Sequence, residues 1–440
     1  MSLKFRRVLL GAGALVLLSA GVMAWQPGTG YRQATAATDY QQLQKFSSVM
    51  EMVRQAYVEE VDDEKLIGGA LSGMLSSLDP HSTYLDKDMY KQMNVDTKGE
   101  FGGLGIEIQS ADGGIRIVSP IEDTPADRAG VKAGDLIIKI DDEVARDMTL
   151  LDAVGKMRGK PGTSIVLTIF REGEPAPLEV KITRAVIKVN SVKSDMLAPG
   201  YAYLRITQFQ QPTVSMLSKQ IRALKKRAGG KLSGAVLDLR NNPGGLLNQA
   251  VAVSDLFLEK GNIVSTKSRA GQSMSFDAEA GDILNGLPMV VLINEGSASA
   301  SEIVSGALQD HHRAILLGTK SFGKGSVQSI FPLTDGTAIK VTTALYYTPS
   351  GRSIQATGID PDILVEQVAI KRDEESKRKI PSVSERNLKG HLANGNGKKA
   401  KKAKEDAGEG ASQAMQERLL LDTQLQRALD LLRGLHVLRG

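Results

Sequence analysis

The hydrophobic period changes near residue 190, and that change most constrains what the chain can fold into. From 97 to 185 the apolar residues fall in short β-rich runs, LGIEI, GIRIV, GDLIIKI, SIVLTIF and LEVKI, separated by Gly- and Pro-containing turns. One helix-like stretch, LLDAVGKMR at 150–158, lies among them. Beyond them strand-like and helix-like runs alternate. Residues 201–208 and 234–239 (GAVLDL) read as strands, 246–258 (LLNQAVAVSDLFL) as helix, 288–294 (PMVVLIN) as a buried strand and SEIVSGALQD as helix. AILLG (314–318), SVQSIFPL (326–333) and TAIKVTTALYYT (337–348) close the series as strands. A small, mostly β domain is therefore expected ahead of an α/β core.

Helical stripes flank these two parts. Leu43, Phe46, Met50, Val53 and Tyr57 are spaced 3, 4, 3, 4, and a second helix-like segment covers 63–78, so 38–95 reads as an N-terminal helical region. Leu421, Leu425, Ala428, Leu432 and Leu435 give a like stripe within 411–438. It follows a charged segment, 371–410, and has no obvious core of its own; self-association or an adaptor protein are the candidate partners. The net charge of +5 sits in that segment, since residues 371–404 hold twelve Lys/Arg and four Asp/Glu. With no aromatics interleaved, it reads as a solvated, disordered linker, and nucleic-acid binding is not expected.

Lys4, Arg6 and Arg7 precede an uncharged run of 17 residues, Val8 to Ala24. Residues 1–36 thus read as a secretory signal, cleaved after Ala24 or Ala36, or as an uncleaved membrane anchor. The chain is placed outside the cytoplasmic membrane, in the periplasm or held at the membrane surface. It has no Cys, hence no disulfide and no thiolate metal site, and no HExxH cluster; no metal or other cofactor is expected.

Residues 294–310, NEGSASASEIVSGALQD, carry Ser297, Ser299 and Ser301 at a strand-to-helix turn. Ser299-x-x-Glu302 fits a capping box, and Ser301 could cap instead. The same turn would also expose a nucleophile at a helix N-terminus. The five histidines offer little as its base. His311 lies twelve residues on, His391 is in the linker, His436 is in the last helix, and His81 is in the DPHSTYL turn, far away in sequence. Lys324, between two glycines in SFGKGSVQ, is competent as a base if an apolar pocket lowers its pKa. Gln328 could hold it by accepting from the ammonium or donating to the amine, but on a straight strand the two side chains would be about 13 Å apart, so that role needs a bend. The Gly-Gly loop of Leu239-Arg240-Asn241-Asn242-Pro243-Gly244-Gly245 can present a backbone N–H to an oxyanion, with the amide of Ala300 as a second donor. A turn whose glycines only satisfy backbone geometry is the plainer alternative.

Gly103-Leu104-Gly105-Ile106, with SPIEDTPADRAGVKAGDLIIKIDD, resembles a PDZ domain over 97–185, which implies a loop that takes a peptide's terminal carboxylate beside a sheet edge. With LDLRNNPGG, NEGSASASEIVSGALQD, GTKSFGKGSVQ and GRSIQATGIDPD, the chain from about residue 40 to 370 resembles the C-terminal processing peptidases, or tail-specific proteases. The resemblance implies an α+β multidomain fold, a PDZ-like β domain ahead of an α/β crotonase-like (ββα-repeat) protease core at 190–370, with helical N- and C-terminal segments. It implies a serine–lysine pair on Ser299 and Lys324, a supporting glutamine on Gln328, and an oxyanion donor at Gly244, with Gly245 possible. It further implies protein substrates with accessible C-termini, cell-wall hydrolases among them, a helical-repeat lipoprotein adaptor and a homo-oligomer. Two other readings compete: a PDZ scaffold without turnover, and an SxxK acyl enzyme of penicillin-binding type built on Ser321-x-x-Lys324, whose motif needs a helical turn that Gly323 disfavours.

Overall fold

A computed structural model describes residues 33–121, 123–368 and 412–439. Residues 1–32 of the signal or anchor segment and the basic linker lie outside the described residues, and the last four residues of that segment open the first helix. Two compact units divide at residue 70. The first holds helix α1 (Gln33–Ala56), on which Arg54 pairs with Asp63 through two 2.8 Å hydrogen bonds. Tyr40, Leu43, Phe46 and Met52 of α1 are exposed. Helix α2 (Asp63–Ser76) follows, so both helices expected before residue 78 form.

In the second unit the turn at Asp79–Ser82 leads into β1 (Thr83–Leu85), α3 (Lys87–Lys98) and β2 (Glu100–Gly103). The PDZ-like part then runs β3 (Ile106–Ala111), β4 (Gly114–Pro120), α4 (Pro125–Arg128), β5 (Leu136–Ile140), β6 (Glu143–Val144), α5 (Leu150–Met157), β7 (Ser164–Phe170), β8 (Leu178–Thr183) and β9 (Ala185–Lys188). Its antiparallel sheet has the order β3-β4-β5-β7-β8, so β3 is an edge strand. Leu104, Ile117, Ile137, Leu167 and Ile169 close a core separate from that of the following domain. Gly105 at φ 81° immediately precedes β3; a Cβ there would stand 2.3 Å from Thr124. Only glycine fits that backbone and that contact.

The remaining chain builds β10 (Val192–Ala198), β11 (Tyr201–Ile206), α6 (Thr213–Arg227), β12 (Gly234–Asp238), α7 (Leu247–Asp255), β13 (Gly261–Ser268), β14 (Ser273–Ala278), β15 (Met289–Ile293), α8 (Ala300–Asp310), β16 (Ile315–Gly318), β17 (Ser326–Pro332), β18 (Ala338–Tyr347) and β19 (Ile363–Leu364). Strands β10-β11-β12-β15-β16-β19 form one sheet, parallel from β11 onward. Successive side chains of a strand point to opposite faces. Leu204, Leu237, Val291 and Leu316 therefore pack on the side of α6, α7 and α8, while Tyr203, Val236, Val290, Leu292 and Leu317 line the other. Both faces are covered, which is why MVVLI reads as unbroken apolar sequence. A second sheet pairs β1, β17 and β13 with β18, and β14 lies on the far side of β13.

The cover of the outer face comes from the far end of the chain. Helices α9 (Gln413–Leu421) and α10 (Thr423–Arg439) lay Met415, Leu425, Ala428, Leu429 and Leu432 on Val236, Val290 and Leu292. The C-terminal stripe, which by sequence lacked a core, is thus part of the chain's own core. Arg240, just past β12, locks it by donating to Asp422 Oδ1 and Oδ2 at 2.9 and 2.7 Å and to Gln424 Oε1 at 2.8 Å, while also holding Asp238.

Candidate active site

The three serines of the β15–α8 turn have different fates. Ser297 Oγ donates to Leu239 O at 2.8 Å, and Ser301 Oγ donates to Asn242 O at 2.9 Å, both buried. These two hydroxyls weld the turn to the loop after β12. Ser299 is the N-cap of α8 at φ 55°, ψ −111°, a region non-glycine residues avoid. Its hydroxyl makes no such weld. It lies beside the buried phenol of Tyr346, whose pKa burial pushes up to about 12, an effect the Ser299 hydroxyl opposes.

What holds the strained turn is Glu302, fully buried on the first turn of α8. Its Oε2 accepts from Ser299 N at 2.8 Å and from Lys324 N at 2.9 Å. Its Oε1 accepts from Ser321 Oγ at 2.6 Å and from Gly323 N at 2.7 Å. Four donors fill the acceptor positions of one carboxylate. Because one oxygen receives both amides, the backbones of Ser299 and Lys324 are under about 6 Å apart. The Ser299/Glu302 spacing was legible as a capping box; that the same carboxylate also holds the Lys324 segment was not. Ser321 both donates to Glu302 and accepts from Ile359 N at 2.7 Å, and residues 320–325 are not helical, so the SxxK reading lacks its helical turn.

The glycines around Lys324 explain themselves by contact. A Cβ on Gly325 would meet Gln355 N at 2.3 Å, and Gly323, at φ 94°, accepts from Ala356 N at 2.8 Å. The GRSIQATGIDPD loop is therefore what the backbone approaches so closely. The Lys324 side chain is half-buried, and its ammonium has no hydrogen-bond or ion-pair partner among the described residues. Burial first, then the charge of Lys340, push its pKa below the ordinary lysine value, against an opposite pull from Asp79 and Glu302.

Gln328 donates to Ser326 Oγ at 2.9 Å and to Thr342 Oγ1 at 3.3 Å, not to Lys324. The β17–β18 register slips beside it, Val327 and Gln328 standing opposite Ala344 and Thr342, so that Thr343 of β18 is the extra residue of a bulge. His81, remote in sequence, is brought into electrostatic range of Lys324 by the pairing of β1 with β18. Among the described residues no group of three His, Cys, Asp or Glu is placed to hold a metal.

Of the expected oxyanion donors, the Gly244 amide donates to Asn242 Oδ1 at 2.9 Å, an Asx turn that engages it. Gly244 also serves by lacking a side chain, since its Cβ would stand 2.8 Å from the Cβ of Ser299. The amides of Gly245 and Ala300 have no partner among the described residues, and Gly245 is exposed. Of the PDZ loop residues, Leu104 is buried in the core, with its carbonyl taken by Ala126 N, while Gly103 ends β2 and Ile106 begins the free edge of β3.

A PDZ sheet with an open edge is followed by a parallel-sheet core in which one buried carboxylate ties the backbone of a strained serine to that of a half-buried lysine, the architecture of a PDZ-bearing peptidase. The chain belongs to peptidase family S41, among the carboxy-terminal processing proteases: residues 200–365 match the family S41 model, 102–182 a PDZ domain, and 23–89 the N-terminal domain of the activating protease CtpB. It is 49% identical over 425 residues to a carboxy-terminal-processing protease of Bartonella bacilliformis, covering 96% of this chain and 94% of that one. It is 38% identical to the carboxy-terminal processing protease CtpA of Bacillus subtilis, over 76% of this chain and 71% of that one. The photosystem II D1 C-terminal processing protease aligns in structure with 29% identity and a TM-score of 0.44, over 74% and 88% of the two chains.

Proposed function

We propose that the protein is an exported endopeptidase that takes C-terminal segments of protein substrates on its PDZ domain and cleaves peptide bonds with Ser299 as nucleophile and Lys324 as general base. The observation that carries this reading is the shared carboxylate of Glu302, which ties the nucleophile's backbone to that of the lysine. Neutral Lys324 takes the Ser299 proton as Oγ attacks the carbonyl carbon. The amides of Gly245 and Ala300 receive the oxyanion, at the N-terminus of α8, where the dipole favours negative charge. The Lys324 ammonium returns the proton to the leaving amine as the C–N bond breaks. Water then attacks the acyl-enzyme, Lys324 taking its proton and passing it to Ser299 Oγ as the acyl C–Oγ bond breaks. Gln328 orients the lysine amine.

Ser299→Ala and Lys324→Ala should each lower peptide cleavage by roughly 10³-fold or more while leaving the melting temperature in place. Cleavage at the native rate by either variant contradicts the assignment, and a serine-reactive probe that fails to label the native protein would favour the silent scaffold. The basic, then apolar, N-terminal sequence supports a periplasmic site of action, and the exposed apolar residues of α1 support a homo-oligomer. Cell-wall hydrolases are the proposed substrates, with a helical-repeat lipoprotein as adaptor. Incubating extracytoplasmic proteins with the native enzyme and its Ser299→Ala form tests the substrate class.

A further inference from the structure

The turn at Asp79–Ser82 carries two titratable residues, and the mechanism above uses neither. Asp79 Oδ1 accepts from His81 N, Ser82 N and Thr342 Oγ1 at 2.8, 2.9 and 3.1 Å, and its Oδ2 accepts from Ser82 Oγ at 2.7 Å. Ser82 Oγ in turn accepts from Thr342 N at 3.1 Å, and Thr83 stands opposite Lys340 in the β1–β18 pair. The turn is therefore pinned to β18 by side chain, backbone and strand register.

A threonine hydroxyl has one proton to give. At Thr342 it goes to the Asp79 carboxylate, so toward Gln328 the same oxygen can only accept. Gln328 must then present Nε2 to Thr342, as it also does to Ser326. Its Oε1 is left as the free end, an acceptor for a lysine N–H. The sequence left open whether Gln328 accepts from Lys324 or donates to it; an acceptor-only carboxylate two hydrogen bonds away decides it.

We propose that Asp79 is a positioning residue of the peptidase, fixing through Thr342 the orientation of Gln328 and, with Lys340, the charge that surrounds Lys324. This rests on the reading of Lys324 as the base. The charged and titratable groups around Lys324 are Asp79 and His81 from the turn, Lys340 from β18 and Glu302 from α8. His81 is held below its ordinary value of 6.5 by burial and by Lys324, so above that pH it is a neutral neighbour. Asp79 favours the ammonium and Lys340 disfavours it.

The test is a double-mutant cycle with pH profiles on the full chain. Thr342→Val and Asp79→Asn should each lower plateau kcat by about tenfold, with KM within about twofold, and neither should add to the loss already caused by Gln328→Ala. Removing the negative charge in Asp79→Asn should move the acid limb of kcat/KM to lower pH, and Lys340→Gln should move it to higher pH, each by roughly half a unit to one unit. Thr342→Val keeps the cycle readable if the turn variant folds poorly. Losses that multiply fully with that of Gln328→Ala, or a limb that stays put in both charge variants, overturn the proposal. Multiplying losses beside an inactive Lys324→Ala overturn the wiring alone, whereas a fully active Lys324→Ala removes the base assignment and the proposal together.

Discussion

At the scale of single residues the site separates chemistry from scaffolding within one motif. Ser297→Ala and Ser301→Ala remove buried welds and should each cost about 1–2 kcal/mol in chemical denaturation with at most modest loss of turnover. Ser299→Ala should cost no stability and all of the turnover. Glu302→Gln places an amide N–H₂ among four donors; it should lose roughly 10²-fold in kcat and about 3 kcal/mol, read by peptide cleavage and urea unfolding. The pH dependence follows from Lys324. A lysine whose pKa is lowered by burial and Lys340 is neutral at lower pH than a free one, so the acid limb of kcat/KM should lie below 10.5, and activity should fall as pH drops through it. The turn at Ser299 and the glycine-bounded loop at Lys324 were legible because each is a local motif with its own turn chemistry. Glu302 was half legible, because its bond to Ser299 is three residues long and its bonds to Ser321, Gly323 and Lys324 span about twenty. The hold on the Gly244 amide was not legible, because it comes from the Asn242 side chain and not from the glycines.

At the scale of elements, the periodicities gave α1, α2, α5, α7, α8 and the buried strands, since each is long or strongly patterned. Helix α6 and the β13–β14 hairpin were not read from the sequence. Both patterns are nonetheless present: Val214, Leu217, Ile221 and Leu224 are spaced 3, 4, 3 along α6, and Met274, Phe276 and Ala278 alternate along β14. The approach of Asp79 and His81 to the site was invisible, because it depends on a strand pair joining residues some 260 apart. The glycine-flanked lysine loop is a close backbone contact. Gly325→Ala, whose Cβ would fall 2.3 Å from Gln355 N, should destabilise by about 2 kcal/mol or more and displace Lys324, measured as a drop in melting temperature together with lost cleavage.

At the scale of the whole molecule, the C-terminal helices are structural to the protease sheet, although a basic segment separates them from it in sequence. Their stripe could not reveal its partner, since the strands it covers are apolar on both faces and show no alternation. Asp422→Leu leaves the guanidinium of Arg240 buried with three of its five side-chain hydrogen bonds, those to Asp238 and Gln424, beside the loop that supplies Gly245. It should cost about 3–5 kcal/mol in chemical denaturation. The central claim is the partnership of one hydroxyl and one amine. Incubating the full chain with a fluorophosphonate and locating the adduct by mass spectrometry tests it most directly. The adduct should form on Ser299 in the native protein and be suppressed at least about a hundredfold in Lys324→Ala; labelling of Ser299 at the native rate without Lys324, or an adduct on another residue alone, would contradict it.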